Sequence, residues 1–362
     1  MKKKVIVVYL TGMQPSGGKE RVVSNLLKEW YKNYEIILIT KDSGNSFYEI
    51  PSDIKKITLN TPFLTSMKKN RFSRIISTYL NLFFSIYKLK KTLSRLDFDY
   101  IYVTSPLNAF ETFYAIKDAK EKLVISEHAS INAFNRIYSW MKKHVYPKSY
   151  CISVPNSRDT EIYKTWGCNA LFIPHLVTYI PVKKNNLDTK IVLNVGRLTS
   201  DKQQGKLIEI WSKLKNKGSW RLWIVGDGEE HDRLLSIINE KGLHNSVELL
   251  PARKDIQKLY RQASLFAFSS RTEGFGMVLL EAMSFGIPCI SFDCPSGPID
   301  IVQDNINGCL IEDGNTKQFI NSLDNLLAMS STELSYLGDN AFKTVSRWDN
   351  DGILRKWNSV FE

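Results

Sequence analysis

Short apolar runs alternate with amphipathic segments along almost the whole chain, and this alternation limits the folds that are open to it. Five runs in the first half are rich in β-branched and aromatic residues: Val5–Leu10, Glu35–Thr40, Tyr100–Thr104, Leu123–Ser126 and Cys151–Val154. Such runs are expected of parallel strands that are covered on both faces. Between the first two runs lies an apolar stripe at helical spacing, made of Val22, Val23, Leu26, Leu27 and Trp30. This βαβ rhythm predicts a doubly wound α/β fold.

The rhythm starts again after a polar stretch at 178–190, which contains proline and asparagine and is interpreted as a linker. The later apolar runs are Ile191–Val195, Trp220–Val225, Val247–Leu250, Leu265–Ser269 and Ile287–Phe292. We therefore predict one domain over 1–177, a second over 191–345, and a C-terminal helix over 346–362 that packs back on the first domain. Two Rossmann-like sheets in series predict a cleft that faces the carboxyl ends of their strands.

Charge and cysteine content narrow the possible partners and compartments. The formal net charge of +12 indicates a phosphate-bearing partner, which is nucleic acid, anionic lipid or a phosphorylated small molecule. The five cysteines form no CxxC pair, so we predict neither structural zinc nor a disulfide framework, and a reducing compartment fits. No run reaches the roughly 18–20 apolar residues of a membrane span, so we expect that the protein is not integral to the membrane.

The segment 271–288 is the most informative for chemistry. Gly274 and Gly276 permit a tight turn after a strand, and a helix is predicted from about Met277 until the glycine at 286. The first turn of such a helix offers free amide groups and a positive dipole end, which suit a diphosphate.

Two glutamates flank this predicted anion site. Glu273 precedes the helix, and Glu281 lies just over one turn inside it. Carboxylates beside a phosphate would repel it, so we expect these two side chains to hold hydroxyl groups. The alternative is a solvated loop glutamate and a helix-face glutamate in a surface ion pair.

This segment resembles the E-x7-E signature of the retaining glycosyltransferases of family 4, which have the two-domain GT-B fold. Further segments resemble that family in the same order along the chain: Gly17–Val22 (GG-x-E-R), Ser126–His128 (S-E-H), Asn194–Lys202 (V-G-R-L…K), Val225–Glu229 (V-G-x-G) and Phe292–Pro298. The last of these is found in members that build surface polysaccharides. The resemblance covers essentially the whole chain.

The resemblance implies a role for each matching residue. Arg197 and Lys202 would grip the donor diphosphate, where two cations stabilise the leaving group, although each alone could be a surface cation after a strand. Glu273 would hold hydroxyls of the transferred sugar, and Glu281 the ribose. The remaining donor-binding candidates are Gly17 and Gly18, Arg253 near the base, and the backbone of Gly274, Phe275, Gly276, Met277 and Val278.

A histidine and three departures from the family pattern complete the candidate site. His128 follows an apolar run and is expected at the carboxyl end of a strand, where the family's histidine contacts the donor sugar. A structural histidine is the alternative. His175 replaces an asparagine, Gln203 replaces a glycine after Lys202, and Lys19 replaces a small residue. The roles of His175 and Lys19 stay open.

The mechanism that the resemblance implies is same-face attack without a carboxylate nucleophile, so the chemistry depends on leaving-group stabilisation and positioning. It implies no metal and no cofactor besides the nucleotide sugar, which is a substrate. Asp97 and Asp99 have the spacing of a D-x-D metal motif, but they precede a strand in a loop, and we interpret them as a coincidence.

The stretch 64–96 contains eight cations and no acidic residue: Lys68, Lys69, Arg71, Arg74, Lys88, Lys90, Lys91 and Arg95. Its apolar residues recur at helical spacing: Phe72, Ile75, Ile76, Tyr79, Leu80 and Phe83. A basic amphipathic helix can lie on an anionic membrane. The alternative is a domain helix whose apolar stripe packs on the sheet while its cations face solvent. The segment Arg136–Lys148 adds more basic and aromatic residues.

We therefore predict a cytoplasmic enzyme, peripheral on the inner face of the cytoplasmic membrane. It would transfer a hexose or N-acetylhexosamine from a nucleotide sugar, with UDP favoured, to a polyprenyl-diphosphate-linked acceptor in lipopolysaccharide or O-antigen assembly. The alternatives are a nucleotide-sugar epimerase of the same fold, a basic nucleic-acid-binding protein, and a nicotinamide dehydrogenase, for which Gly226–Gly228 is only a fragment of GxGxxG.

Overall fold

The structure is a computed structural model, and it describes residues 2–15, 17–61, 71–133, 135–177 and 183–362; within 71–79 only the backbone is described. The chain divides into two compact units. The first unit comprises Met1–Pro155, Asp159–Leu176 and Leu354–Glu362, and the second comprises Asn156–Arg158 and Val177–Ile353.

The first unit is built on a parallel sheet. Its strands are β1 (Val5–Leu10), β2 (Glu35–Thr40), β3 (Lys55–Thr58), β4 (Tyr100–Val103), β5 (Leu123–Ser126), β6 (Cys151–Val154) and β7 (Ala170–Phe172). They are ordered β3-β2-β1-β4-β5-β6-β7, so the order reverses between β1 and β4. Every residue of β1, β4, β5 and β6 is buried, and so is every residue of β2 after Glu35, so all five predicted runs form buried strands. The short edge strands β3 and β7 carried no comparable apolar run.

Helices connect these strands: α1 (Gly18–Asn33), α2 (Arg71–Leu93), α3 (Pro106–Ala115), α4 (Ala119–Lys122), α5 (Arg136–Val145) and α6 (Ser157–Thr165). The predicted stripe of α1 is buried as expected, down to Trp30. The last residues of the chain also pack in this unit, because the rings of Trp357 and Phe361 both lie 5.1 Å from the Trp30 ring.

The second unit repeats the design. Its strands are β8 (Ile191–Val195), β9 (Arg221–Val225), β10 (Val247–Leu250), β11 (Leu265–Phe268), β12 (Cys289–Asp293) and β13 (Gly308–Glu312), all parallel and ordered β10-β9-β8-β11-β12-β13. The helices are α7 (Gln204–Ser212), α8 (His231–Glu240), α9 (Gln257–Tyr260), α10 (Met277–Ser284), α11 (Pro298–Ile301), α12 (Thr316–Ala328) and α13 (Ser331–Val345). The last helix, α14 (Asn350–Phe361), belongs to the first unit from Leu354 onward. The reversal between β8 and β11 marks the place where open α/β sheets bind ligands.

The predicted linker is only partly described, because residues 178–182 lie outside the described ranges. Residues 183–190 pack within the second unit, where the Asn185 side chain donates to the Tyr260 carbonyl at 2.6 Å and Leu187 is buried in the core. Among the described residues, no helix combines the length and the apolar character that crossing a membrane requires.

Candidate active site

The carboxyl ends of β8 and β11 bring two predicted site residues together in the second unit. The Lys202 Nζ lies 2.5 Å from the Glu273 Oε1, and the two side chains are only 19 % and 14 % exposed. The alternatives were a solvated loop glutamate at Glu273 and a surface cation at Lys202, and an enclosed ion pair fits neither of them. Its position at the topological switch point suits a ligand site.

The loop that carries Arg197 and Lys202 is held to the end of β11 by its own backbone. The Ser269 hydroxyl donates to the Lys202 carbonyl at 2.9 Å, and the Arg271 amide donates to the Asp201 carbonyl at 2.8 Å. The Gln204 side chain donates to the Arg197 carbonyl at 2.9 Å. Three hydrogen bonds to backbone carbonyls therefore fix the course of this loop.

The backbone at Gln203, the position after Lys202 at which a glycine was expected, adopts a conformation that glycine favours. Its φ of +53° lies in the left-handed region, which favours glycine. A non-glycine residue there costs roughly 1–2 kcal/mol. The sequence left the course of this loop uncertain, and the structure shows that the glycine-like conformation is retained at that cost.

Sequence reasoning did not assign a role to the glycines of the Val225–Glu229 turn, and the structure supplies one. A Cβ atom on Gly226 would lie 1.9 Å from the Gly196 carbonyl oxygen, and one on Gly228 would lie 2.2 Å from the Leu198 carbonyl oxygen. The Leu198 amide donates to the Asp227 carbonyl at 2.9 Å. The turn therefore supports the Arg197 loop through a close backbone approach that only glycine permits. The V-G-x-G spacing was the available signal.

Arg197 itself is exposed on this loop. In the part of the chain that the structure describes, no carboxylate lies within ion-pair distance of its guanidinium. The neighbouring pair Lys202–Glu273 is internally neutralised, so Arg197 supplies the uncompensated positive charge of the loop.

The loop before α10 packs tightly and presents backbone rather than side chains. Gly276 caps the helix with a φ of +90°, and the helix begins at Met277 as predicted. The Phe275 ring is buried against Trp348, with ring centroids 5.2 Å apart. Phe275 can therefore offer only backbone atoms to a ligand, together with the free amides of Met277 and Val278 in the first helical turn.

The other two candidates of this unit, Glu281 and Arg253, differ in burial. Glu281 is buried on α10 and accepts a hydrogen bond from the Tyr260 hydroxyl at 3.1 Å, so the surface-pair alternative is wrong for this residue. Arg253 is exposed and donates to both oxygens of Asp255, at 2.5 and 2.7 Å. These hydrogen bonds hold the pKa of the Asp255 carboxyl below its usual range.

In the first unit, His128 follows β5 as predicted, and its ring stacks on that of His175. The ring centroids are 4.9 Å apart and the planes differ by 14°. Both His128 ring nitrogens are buried, and neither has a hydrogen-bond partner among the described residues. Burial, followed by His175 and Lys19, holds the pKa of His128 well below its ordinary value, and burial with Arg21 lowers the pKa of His175 to about 4. Both rings are therefore neutral near pH 7.

The residue before His128 is anchored in a buried polar cluster, which sequence reasoning missed. The Lys142 ammonium lies 2.8 Å from the Glu127 carboxylate and 2.9 Å from the Tyr163 hydroxyl, and Tyr146 also donates to Glu127. Lys142 has no exposed surface. Lys142 belongs to the basic segment Arg136–Lys148, but its charge is used inside the unit and does not add to the surface charge.

The GG-x-E-R loop has a partly structural explanation. A Cβ atom on Gly17 would lie 2.4 Å from a Glu20 carboxylate oxygen, and none of the described atoms approaches a Cβ on Gly18 within 4 Å. The Lys19 ammonium lies 3.1 Å from the Glu20 carboxylate. The close contact at Gly17 is with the flexible end of the Glu20 side chain, which could shift to admit a Cβ atom, and Gly18 leaves open space.

Asp97 and Asp99 lie at the amino end of β4, as the sequence indicated. Asp99 accepts a hydrogen bond from the Val5 amide at 2.7 Å, and exposed Asp97 pairs with Lys2 at 3.4 Å. Ligands of parallel sheets bind at the opposite, carboxyl edge. Both carboxylates are thus accounted for away from the candidate site.

The basic stretch is described only in part. Lys68 and Lys69 lie outside the described residues, as do the side chains of Arg71 and Arg74 and those of Phe72, Ile75, Ile76 and Tyr79. Leu80 and Phe83 on α2 are 63 % and 74 % exposed, so the alternative in which the stripe packs on the sheet is wrong for these two residues. The helix instead buries Ser85, Leu89 and Leu93.

Two doubly wound parallel sheets in series make up the GT-B fold, and the second carries a loop and a helix terminus that suit an anion. Comparison with known proteins agrees: residues 178–344 match the family described as "Glycosyl transferases group 1", so the second unit contains a glycosyltransferase group 1 domain.

Relatives match along the whole chain. The chain is 28 % identical over 367 residues to the "Amylovoran biosynthesis glycosyltransferase AmsD" of Erwinia amylovora, covering 98 % of this chain and 99 % of that protein. It is 29 % identical over 355 residues, 93 % of each protein, to the "N-acetylgalactosamine-N,N'-diacetylbacillosaminyl-diphospho-undecaprenol 4-alpha-N-acetylgalactosaminyltransferase" of Campylobacter jejuni.

Solved structures confirm the fold. A mutant of S. aureus TarM in complex with UDP superposes with a TM-score of 0.79 at 17 % identity, covering 99 % of this chain and 100 % of that one. At this identity the likeness speaks for the fold alone.

Proposed function

We propose that this glycosyltransferase transfers a hexose or N-acetylhexosamine from a UDP-sugar to a polyprenyl-diphosphate-linked oligosaccharide, with retention of the anomeric configuration. The enclosed Lys202–Glu273 pair beside Arg197 carries the proposal. Arg197, with no carboxylate partner in the described part of the chain, provides uncompensated positive charge for a departing diphosphate, Lys202 adds an ammonium donor, and Glu273 provides a carboxylate for sugar hydroxyls. The names of the Erwinia and Campylobacter relatives support surface polysaccharide assembly and a lipid-linked acceptor, and the UDP in TarM supports the nucleotide.

In the proposed reaction, the acceptor oxygen forms a bond to the anomeric carbon on the face from which the diphosphate departs. The bond between that carbon and the phosphate oxygen breaks, and the hydroxyl proton passes to the departing phosphate. Arg197 and Lys202 stabilise the charge that develops on the diphosphate. Glu273 accepts hydrogen bonds from the sugar, Glu281 from the ribose, and neutral His128 contacts a hydroxyl of the transferred sugar.

Retention is tested by product analysis. The purified protein is given a UDP-α-sugar and a synthetic polyprenyl-diphosphate disaccharide, and the new linkage is assigned by proton NMR. An α-linkage is expected. A β-linkage would contradict the same-face reaction while leaving glycosyl transfer intact.

Metal dependence gives a second test. Because the chain supplies two cations to the diphosphate, sugar transfer should proceed at an unchanged rate in excess EDTA. Initial rates are measured with EDTA, and then with Mg²⁺ or Mn²⁺ added back. A strict requirement for either ion would contradict the proposal, and Asp97 and Asp99 would then be the candidate metal ligands.

We also propose that the first unit docks on an anionic membrane surface. Exposed apolar side chains lie on α2 and on α5, which both pack against α3, and include Leu80, Phe83, Tyr87, Ile137 and Trp140. Lys90, Lys91 and Arg95 are exposed beside them on α2 or just after it. Lys88 is not counted among these cations, because its ammonium donates to the Leu59 carbonyl at 2.9 Å. Aromatic groups flanked by cations match a headgroup region over acyl chains.

Vesicle co-sedimentation tests this docking. Each cation near an anionic surface is worth about 1 kcal/mol, so changing four to glutamine should weaken binding at least about tenfold. The test variant changes Lys68, Lys69, Arg71 and Arg74. The matched control removes four exposed cations of the second unit: Lys213, Lys215, Arg221 and Lys241. Wild-type protein that ignores phosphatidylglycerol vesicles at low salt, or equal losses in both variants, would contradict the proposal.

A further inference from the structure

His128 has a fixed backbone, but the described residues give its ring no hydrogen bond. The Glu127 cluster with Lys142 and Tyr146 anchors the preceding residue, and β5 ends at Ser126. Both ring nitrogens are buried and lack a partner in the described part of the chain. A histidine side chain has two rotatable bonds, so some other contact must set the plane of the ring.

The ring of His175 provides that contact. His175 is 7 % exposed, and it reaches this place because the chain continues from β7 through Ile173, whose amide donates to the Val154 carbonyl at 3.0 Å. Its ring lies parallel to that of His128, with 4.9 Å between centroids. A flat partner at this distance restricts rotation of the His128 ring, which an asparagine at position 175 could not do in the same way.

The surroundings favour two neutral rings in this stack. Both imidazoles are buried, which disfavours their protonated forms. The positive charges of Lys19 and Arg21, in the first turns of α1, also disfavour protonation of His128 and His175 respectively. A neutral imidazole has one N–H donor and one acceptor nitrogen. The stack therefore holds one donor and one acceptor nitrogen of His128 in a fixed plane.

We propose that His175 is a positioning residue: its ring holds the His128 imidazole in the plane in which His128 contacts a hydroxyl of the transferred sugar. This rests on the proposed role of His128. His175 itself touches no substrate in this proposal, and it acts only through the ring that it stacks on.

Kinetics separates positioning from a structural role. His175→Ala and His175→Asn should lower kcat by about ten- to a hundredfold, because the misplaced ring no longer meets the reacting sugar, while the KM for the donor changes little. His175→Phe keeps a flat ring and should stay within about threefold of wild type on the same reasoning. In a His128→Ala background, His175→Ala should cause no further loss. His244→Ala, at an exposed histidine of the second unit, is the control.

Several results would overturn the proposal. One is a wild-type kcat in His175→Ala. Another is a kcat in His175→Phe that falls as far as in His175→Ala. A third is a further fall in kcat when His175→Ala is added to the His128→Ala variant, equal to the fall that it causes in wild type.

A second measurement does not depend on turnover. The chain has five histidines, so the ring proton signals of His128 can be assigned by substitution. The ring current of His175 should shift them, and His175→Ala should move them while His175→Phe leaves them near a ring-shifted position. Unmoved His128 signals in His175→Ala would overturn the positioning role. A wild-type protein with the NMR signature but no release of UDP from any sugar nucleotide would contradict the proposed function alone.

Discussion

Replacing Lys202 or Arg197 with alanine should lower the rate of sugar transfer by a factor on the order of 10²–10³, since in the proposed reaction each removes a charge that stabilises the departing diphosphate. We expect the larger loss of activity for Lys202, because its ammonium lies 2.5 Å from the Glu273 carboxylate in a mostly enclosed pair. Its loss would remove the proposed phosphate contact and would also leave the Glu273 carboxylate without its counter-charge.

Steady-state kinetics with the two variants checks this expectation, and thermal unfolding tests whether both are folded. Lys241→Ala removes an exposed cation of the same unit and should retain wild-type activity. Glu273→Gln keeps the shape of the side chain and should also reduce transfer, because a neutral amide polarises sugar hydroxyls less. Full activity in the Arg197→Ala, Lys202→Ala double variant would contradict the assignment of the diphosphate site.

Replacing Lys142 with methionine should lower the free energy of unfolding by about 3–5 kcal/mol, the cost of leaving a buried charge without its partner. Lys142 has no exposed surface, and Glu127 is only 3 % exposed. Methionine fills much of the lysine volume, so the loss comes mainly from the abandoned Glu127 carboxylate. Because Glu127 precedes His128, sugar transfer should fall as well.

Urea denaturation followed by tryptophan fluorescence measures the change in stability. Lys143→Met, next in the chain and exposed, should stay within about 0.5 kcal/mol of wild type. In the Lys142→Met, Glu127→Gln double variant no buried charge remains, so a large part of the lost stability should return. Equal stabilities of Lys142→Met and Lys143→Met would show that the buried pair is not the anchor described above.

Much of the fold follows from sequence, because parallel strands covered on both faces must be continuously apolar. Val5–Leu10 and Leu123–Ser126 could therefore be placed to the residue. The exposed edge strand Lys55–Thr58 obeys no such constraint and gave no signal. For α2, helical spacing identified an apolar stripe but not its direction, and the described end of that stripe faces solvent while Leu89 faces the core.

The candidate site divides in the same way. The spacing of glycines around Met277 predicted the helix start, since left-handed caps favour a particular residue type. The Glu127–Lys142 pair and the His128–His175 stack join residues that no periodicity links. At Gln203 the backbone has a left-handed conformation that favours glycine, and the residue type gave no sign of it. Contacts made by tertiary packing alone were therefore the part that sequence could not reveal.

The most direct measurement of the central claim is a donor screen with the purified protein. Several UDP- and GDP-sugars are supplied in turn, and release of the nucleoside diphosphate is followed in wild type and in Lys202→Ala. We expect UDP to be released from at least one UDP-sugar by wild type, and more slowly by a factor on the order of 10²–10³ in Lys202→Ala. No release from any donor, or conversion of the nucleotide sugar into its epimer without loss of UDP, would contradict the account.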